Sequence, residues 1–166
     1  MKTLFTLIAS LMIVLPVSAQ RDDFDSPVLS PSWQTVRNLG ASRWSLTERA
    51  GFLRLKGSTV TLDDTEVPPV YFERKSLPKD FEATVSLDFE PGKPNETAGL
   101  ALRLNERQHY EFGVRKSVSG RELFIRLVTG SNRGILRTYP IRTGPVALRI
   151  RGFAKYVRFS FSQNEA

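Results

Sequence analysis

Cysteine is absent from the 166 residues, and histidine occurs once, at position 109. Disulfide scaffolds, thiol nucleophiles and cysteine-based zinc or iron–sulfur sites are therefore excluded. Any Ser-His-Asp triad would hang on that one histidine, and His-rich metal centres are ruled out. No Gly-x-Gly-x-x-Gly and no phosphate loop is present. No segment after residue 21 carries a long 3.6-residue apolar period, so α/β architectures are not expected. The spaced Glu-x-Asp-x-x-Glu strand motif of sandwich-fold glucanases is also missing. What is there is a globular composition, 40% hydrophobic and 25% charged, at the size of one domain.

Met1 to Ala19 reads as a secretory signal peptide. Lys2 gives the positive start, Leu4 to Pro16 the apolar stretch, and Val17-Ser18-Ala19 the small-residue cleavage pattern before Gln20. The run is too short for a spanning helix. Export to the periplasm or the extracellular medium is the expectation, with no membrane anchor. The formal charge is +7, from 24 Lys and Arg against 17 Asp and Glu, and loss of the leader removes only Lys2 from it. The basic residues are mostly Arg and alternate with apolar positions instead of forming a tail. Solvated strand faces explain them better than nucleic-acid contact, and an acidic polysaccharide is a further partner for such a surplus.

Period-two alternation dominates the rest. Phe81, Ala83, Val85, Leu87 and Phe89 alternate with polar residues, and the same beat returns in Leu100–Leu104, Tyr110–Val114, Leu123–Leu127, Val146–Ile150 and Val157–Phe161. Trp44-Ser45-Leu46 and Phe52 to Leu55, around Ala50-Gly51, form an earlier pair, and Val70 to Arg74 a further strand. Pro91-Gly92, Ser119-Gly120, Gly130-Ser131-Asn132 and Gly144-Pro145 supply turns. The expected class is all-β, an antiparallel jelly-roll sandwich.

With the apolar set facing the core, Gly99, Ala101, Arg103, His109, Glu111, Gly113, Arg115, Glu122, Phe124 and Arg126 share the opposite face. That face would be either an ordinary solvated surface or a shallow polar floor. In the second case Arg103, Glu111 and Arg126 would bind sugar hydroxyls or carboxylates. Phe124 would form an apolar platform, and Arg149, Arg151 and Arg158 would extend the floor. No catalytic residue is assigned. The densest acidic cluster, Asp63-Asp64-Thr65-Glu66, reads as a solvated turn, with Asp64 and Glu66 as the acids of a rival hydrolase reading. His109 reads as a structural or surface histidine. No cofactor is expected, although Asp22-Asp23-Phe24-Asp25 has the oxygen ligands for a structural Ca²⁺.

The stretch Asp22-Asp23-Phe24-Asp25-Ser26-Pro27-Val28-Leu29-Ser30-Pro31-Ser32-Trp33 resembles the opening of the C-terminal concanavalin A-like domain of family 43 β-xylosidases. Arg43 to Leu55 is similar to that domain's next block, and Ala98-Gly99-Leu100 with Asn105-Glu106 and His109-Tyr110 to a third. The resemblance covers nearly all of residues 22–162. It implies a jelly-roll sandwich, normally attached behind a catalytic propeller that carries the carboxylates. In the family, further strands and a loop to the propeller's active site follow the last strand seen here, so a domain over residues 22–166 is expected to be incomplete at its C terminus. The expected function is a secreted non-catalytic module of polysaccharide degradation, binding glycan or a partner glycosidase. The rivals are a small glycoside hydrolase acting on xylan-type substrates and an inactive remnant of a β-xylosidase.

Overall fold

The computed structural model describes residues 20–74, 80–153 and 155–163. The signal-peptide reading of residues 1–19 lies outside them, as do the last three residues. Among the described residues no helix is long and apolar enough to cross a membrane.

Seven strands build two antiparallel sheets. Strands β6 (Thr97–Asn105), β7 (Gln108–Ser117), β8 (Gly120–Thr129) and β9 (Asn132–Pro140) run as a meander. Its hairpins are short because the turn chemistry allows it, as where Gly130 takes a φ of 63° just after β8. Strand β10 (Val146–Phe153) lies at the centre of the second sheet, between β5 (Phe81–Leu87) and β11 (Tyr156–Ser162). Alternation places Phe112, Val114 and Leu123 of one sheet against Val146, Leu148 and Ile150 of the other as a single core. Leu123 and Leu148 retain no exposed surface. Truncating either to alanine removes a filled volume that the sheets cannot close over, at a cost of about 2–5 kcal/mol.

The alternating runs thus become strands as expected, with two departures. Leu104 points outward and is 77% exposed, because the β6–β7 pairing slips between Arg103 and Asn105 and breaks the period. Strand β9 has no alternating pattern in Asn132-Arg133-Gly134-Ile135-Leu136-Arg137: every residue in it is exposed, so no face imposes alternation.

Ahead of the sandwich, the described chain forms two-residue bridges and a 3-10 turn at Ala41–Arg43. Strand β1 (Gln34–Thr35) pairs with β4 (Phe72–Glu73), and β2 (Trp44–Ser45) with β3 (Arg54–Leu55). Trp44 packs edge-on against Phe72 at 5.4 Å, and Val36, Leu39 and Leu46 are buried outside the main core. With so few ladder bonds, this segment depends on side chains for its position.

Two close approaches require glycine. Gly99 and Gly113 sit opposite each other on β6 and β7, and a Cβ on Gly113 would lie 2.3 Å from the carbonyl oxygen of Ala98. Gly113→Ala is expected to destabilise the fold by about 1–3 kcal/mol through overpacking. A urea titration checks this, and an unchanged midpoint would refute the tight approach.

Candidate functional site

The outer face of the four-stranded sheet carries the expected residues in the expected register. Arg103 lies opposite His109, Glu111 opposite Arg126, and Gly113 opposite Phe124. The face is not open, however. His109 is 3%, Glu122 9% and Phe124 4% exposed. Phe124 is thus no platform for a sugar ring. The face is engaged by the segment ahead of the sandwich, which the sequence pattern of the strands alone could not place there.

Asp63 makes the central contact. The Arg126 guanidinium grips it with both forks, Nη1 to Oδ1 at 3.0 Å and Nη2 to Oδ2 at 2.6 Å. Arg126 Nη1 also donates to Glu111 Oε1. Arg133 adds a contact to Asp63 Oδ2 at 3.1 Å. His109 fills the remaining corner: Nε2 lies 3.2 Å from Asp63 and 3.1 Å from Glu111, and Nδ1 faces the carbonyl oxygen of Asn105 at 3.2 Å. Both ring nitrogens therefore face oxygen atoms of the chain. Burial pushes the Asp63 carboxyl up, but the Arg126 hydrogen bond and the charges of Arg126, His109 and Arg133 outweigh it, and it sits below the usual aspartate range.

The loop that presents Asp63 is fixed by its neighbour. Asp64 Oδ1 accepts the backbone N–H of Glu66 at 2.8 Å and of Val67 at 2.6 Å, and these bonds draw its carboxyl below the ordinary value. Arg37, held at a φ of 62°, donates to the carbonyls of Asp64 and Val67 and to Glu106 Oε1. Arg103 takes the same Glu106 oxygen at 2.8 Å and lies 3.8 Å from Glu73 of β4. All three polar members of the expected floor, Arg103, Glu111 and Arg126, are thus engaged with carboxylates or arginines of the chain itself. Asp63 and Arg37 join the site without any signal in the strand pattern. Neither lies on an alternating strand, and only the acidity of Asp63-Asp64 marked the loop.

Asp63, His109 and Glu111 offer ligand atoms within 4.8 Å of one another, close enough to surround a metal ion. Arg126 already supplies the positive charge between the two carboxylates. Asp22 and Asp23 turn to different partners: Asp22 accepts from Trp33 Nε1 at 2.7 Å and Asp23 from Arg21.

Arg149, Arg151 and Arg158 do not extend this floor. They alternate with Leu148, Ile150 and Phe159, which face the core, and so lie on the outer face of the other sheet, across the sandwich. A surface hollow of about 390 Å³ beside the β8–β9 turn is lined by Leu127, Thr129, Asn132, Arg133 and Leu136, with no carboxylate in its wall.

Because Asp63 is ionised more readily in the folded chain than in the unfolded one, its contribution to stability is present above the unfolded value of about 3.9. It is lost as pH falls below that and through the lowered folded value. Asp63→Asn should reduce stability at pH 7 by about 1–3 kcal/mol, by leaving Arg126 with fewer acceptors. It should also flatten the acid limb of a plot of melting temperature against pH. A parallel acid limb would show that the ion pair carries no linkage.

Comparison with known proteins places this architecture. The chain is 36% identical over 106 residues to a non-reducing end alpha-L-arabinofuranosidase of Bacteroides ovatus, covering 64% of this chain and 20% of that protein. It is 29% identical over 125 residues to a xylosidase/arabinosidase of Butyrivibrio fibrisolvens, covering 75% of this chain and 24% of the relative. The chain thus spans about a fifth to a quarter of the curated relatives it matches. Among solved structures, the glycoside hydrolase family 43 (GH43) protein BlXynB of Bacillus licheniformis superposes with a TM-score of 0.81 at 27% identity, over 86% of this chain and 27% of that one. A GH43 protein of Bacteroides ovatus superposes with a TM-score of 0.76 at 29% identity, over 90% and 31%. Residues 21–166 match the family model of the beta-xylosidase C-terminal concanavalin A-like domain, and the chain belongs to that family.

Proposed function

We propose that this protein is a secreted, non-catalytic β-sandwich module of xylan-type polysaccharide breakdown, which holds glycan and does not cleave it. The observation that carries this reading is the single Arg126 guanidinium bound to both Asp63 and Glu111. Their ligand atoms lie within 4.8 Å of each other, closer than the carboxyl groups of a retaining glycosidase, which stand about 5–5.5 Å apart. Such a pair needs one group kept protonated as the acid. Here Arg126 donates to both carboxylates, and Asp63 is held below the usual range. Their side chains are only 12% and 18% exposed, which leaves no room for a sugar between them. Asp64 serves its loop as a turn residue and is not paired with Glu66 across a cleft.

The substrate class rests on the relatives, which are named as a xylosidase/arabinosidase and an arabinofuranosidase. Secretion rests on the signal-peptide pattern of Met1 to Ala19.

Purified chain incubated with aryl-xylosides, aryl-arabinosides and arabinoxylan is expected to release no sugar, while native affinity electrophoresis in xylan-containing gels is expected to show retardation. Release of xylose or arabinose that disappears in Glu111→Gln would instead make the protein an enzyme.

A further inference from the structure

The outer face of the three-stranded sheet poses a problem that folding does not solve. Arg151 on β10 and Arg158 on β11 are direct cross-strand partners, and both are exposed. Like charges in that position destabilise a sheet. Neither makes an ion pair within 4.0 Å among the described residues; both guanidinium groups instead stand near the Phe153 ring, at 5.9 and 5.6 Å from its centroid. Arg149, two residues back on the same face, is 53% exposed and reaches Glu82 at 3.5 Å. Glu82 also lies opposite Arg151 in the ladder, yet its ion pair goes to Arg149. Of the three arginines, Arg149 alone forms an ion pair among the described residues, with Glu82.

The rest of the face has a consistent character. Tyr156, 69% exposed, packs against Phe153 at 5.9 Å and makes an aromatic end beside the arginine pair. Thr84 and Ser160, which flank Arg149 on either side, carry short hydroxyls. The face thus carries exposed arginines, an aromatic pair and short hydroxyls. Arg149, Arg151 and Arg158 are spread over two strands and three successive rungs of the ladder, a spread that suits an extended chain and not a single sugar. Guanidinium forks pair with carboxylates through two parallel hydrogen bonds. An aromatic ring at one end offers an apolar plane with a polar tip.

We propose that the outer face of the β5-β10-β11 sheet is a docking surface for a uronate-bearing polysaccharide, with Arg151 and Arg158 clamping its carboxylates and Tyr156 and Phe153 supporting a neighbouring sugar. This rests on the glycan-holding reading above and names the ligand class and the face. It also removes the apparent waste of the cross-strand arginine pair. Two like charges that repel in the free protein are both neutralised by an anionic chain lying across them.

Calorimetric titration of the full chain at about 0.15 M salt tests it, where exposed charges more than about 8 Å apart are screened. The titrants are glucuronoxylan, the same polymer after reduction of its carboxyl groups, neutral arabinoxylan, and a single-stranded oligonucleotide. Glucuronoxylan is expected to bind at least ten times more tightly than its reduced form and than the oligonucleotide. Arg151→Gln with Arg158→Gln should weaken binding by about tenfold for each arginine removed. The melting temperature should stay level or rise as the repulsion is lost. Glu82→Gln, which frees Arg149, should tighten binding. Equal affinity for the intact and reduced polymers, or no response to the arginine changes, would overturn the proposed face while leaving glycan binding in place. Tighter binding of the oligonucleotide would overturn it in favour of nucleic acid. Absence of binding to any glycan would overturn both this proposal and the glycan-holding reading.

Discussion

Arg126 holds together parts of the chain that backbone hydrogen bonds leave apart. Its guanidinium reaches Asp63, 63 residues earlier in sequence, and Glu111 on the neighbouring strand. In the segment between residues 34 and 74 the strand pairings are two-residue bridges. It cannot fix its position by ladder bonds, and a few buried apolar side chains would tolerate sliding. A bidentate arginine–carboxylate contact does not, because its two parallel bonds set an angle as well as a distance. Desolvating these charges is costly, and a buried pair is weak evidence for net stability. Its effect here is on register: it places one loop over one patch of sheet.

That placement divides the two outer surfaces of the sandwich. On the four-stranded side, Asp63, Glu73 and Arg37 arrive from the leading segment and meet Arg126, Arg103 and Glu106. Positive and negative groups are matched there, and Phe124 and His109 go under cover. On the three-stranded side Arg149, Arg151 and Arg158 stay exposed, and of these only Arg149 forms an ion pair among the described residues. The net positive charge of the chain is therefore not spread evenly. It is cancelled where the chain folds onto itself and retained where it does not. A charge count of the whole sequence cannot distinguish these two fates, because both faces are built from Arg alternating with core residues.

The same distinction sets what was legible in the sequence. Strands with one buried face, such as Val146 to Phe153, show their period because each second residue must leave water. Strand β9 shows none, since no residue in it is buried. The composition of the floor was readable from register alone, and Glu111, Arg126, Arg103 and Phe124 do share it. What lies on that floor was not readable, because contacts between a loop and a sheet far away in sequence leave no period. The pair Asp63-Asp64 makes the point at single-residue scale. Asp64 does what an acidic turn residue does, binding the amides that follow it, while its neighbour reaches Arg126. The blocks that carried the family resemblance are partly explained by such local tasks: Asp22 accepts from the Trp33 indole at the two ends of the first block.

The core is least covered where β9 and β11 lie. Tyr139 of β9 and Phe161 of β11 approach to 6.2 Å across the two sheets, although each is still more than 40% exposed. Val157, also on the core-facing side of β11, is 38% exposed. These are the outermost strands of their sheets, and each presents an unpaired row of backbone groups among the described residues. Such edges invite pairing with another chain unless charge, proline or curvature interferes. All three devices are present. Strand β9 ends in Pro140 and carries Arg133 and Arg137, β11 carries Arg158, and the β8–β9 register breaks after Ile125. Placing arginine on both edges sets a like-charge penalty against edge-to-edge association of two copies. The cation surplus therefore has a structural use at the strand margins even where no ligand is bound. On the broad face of the second sheet that explanation fails, because Arg149 and Arg151 belong to the central strand and guard no edge.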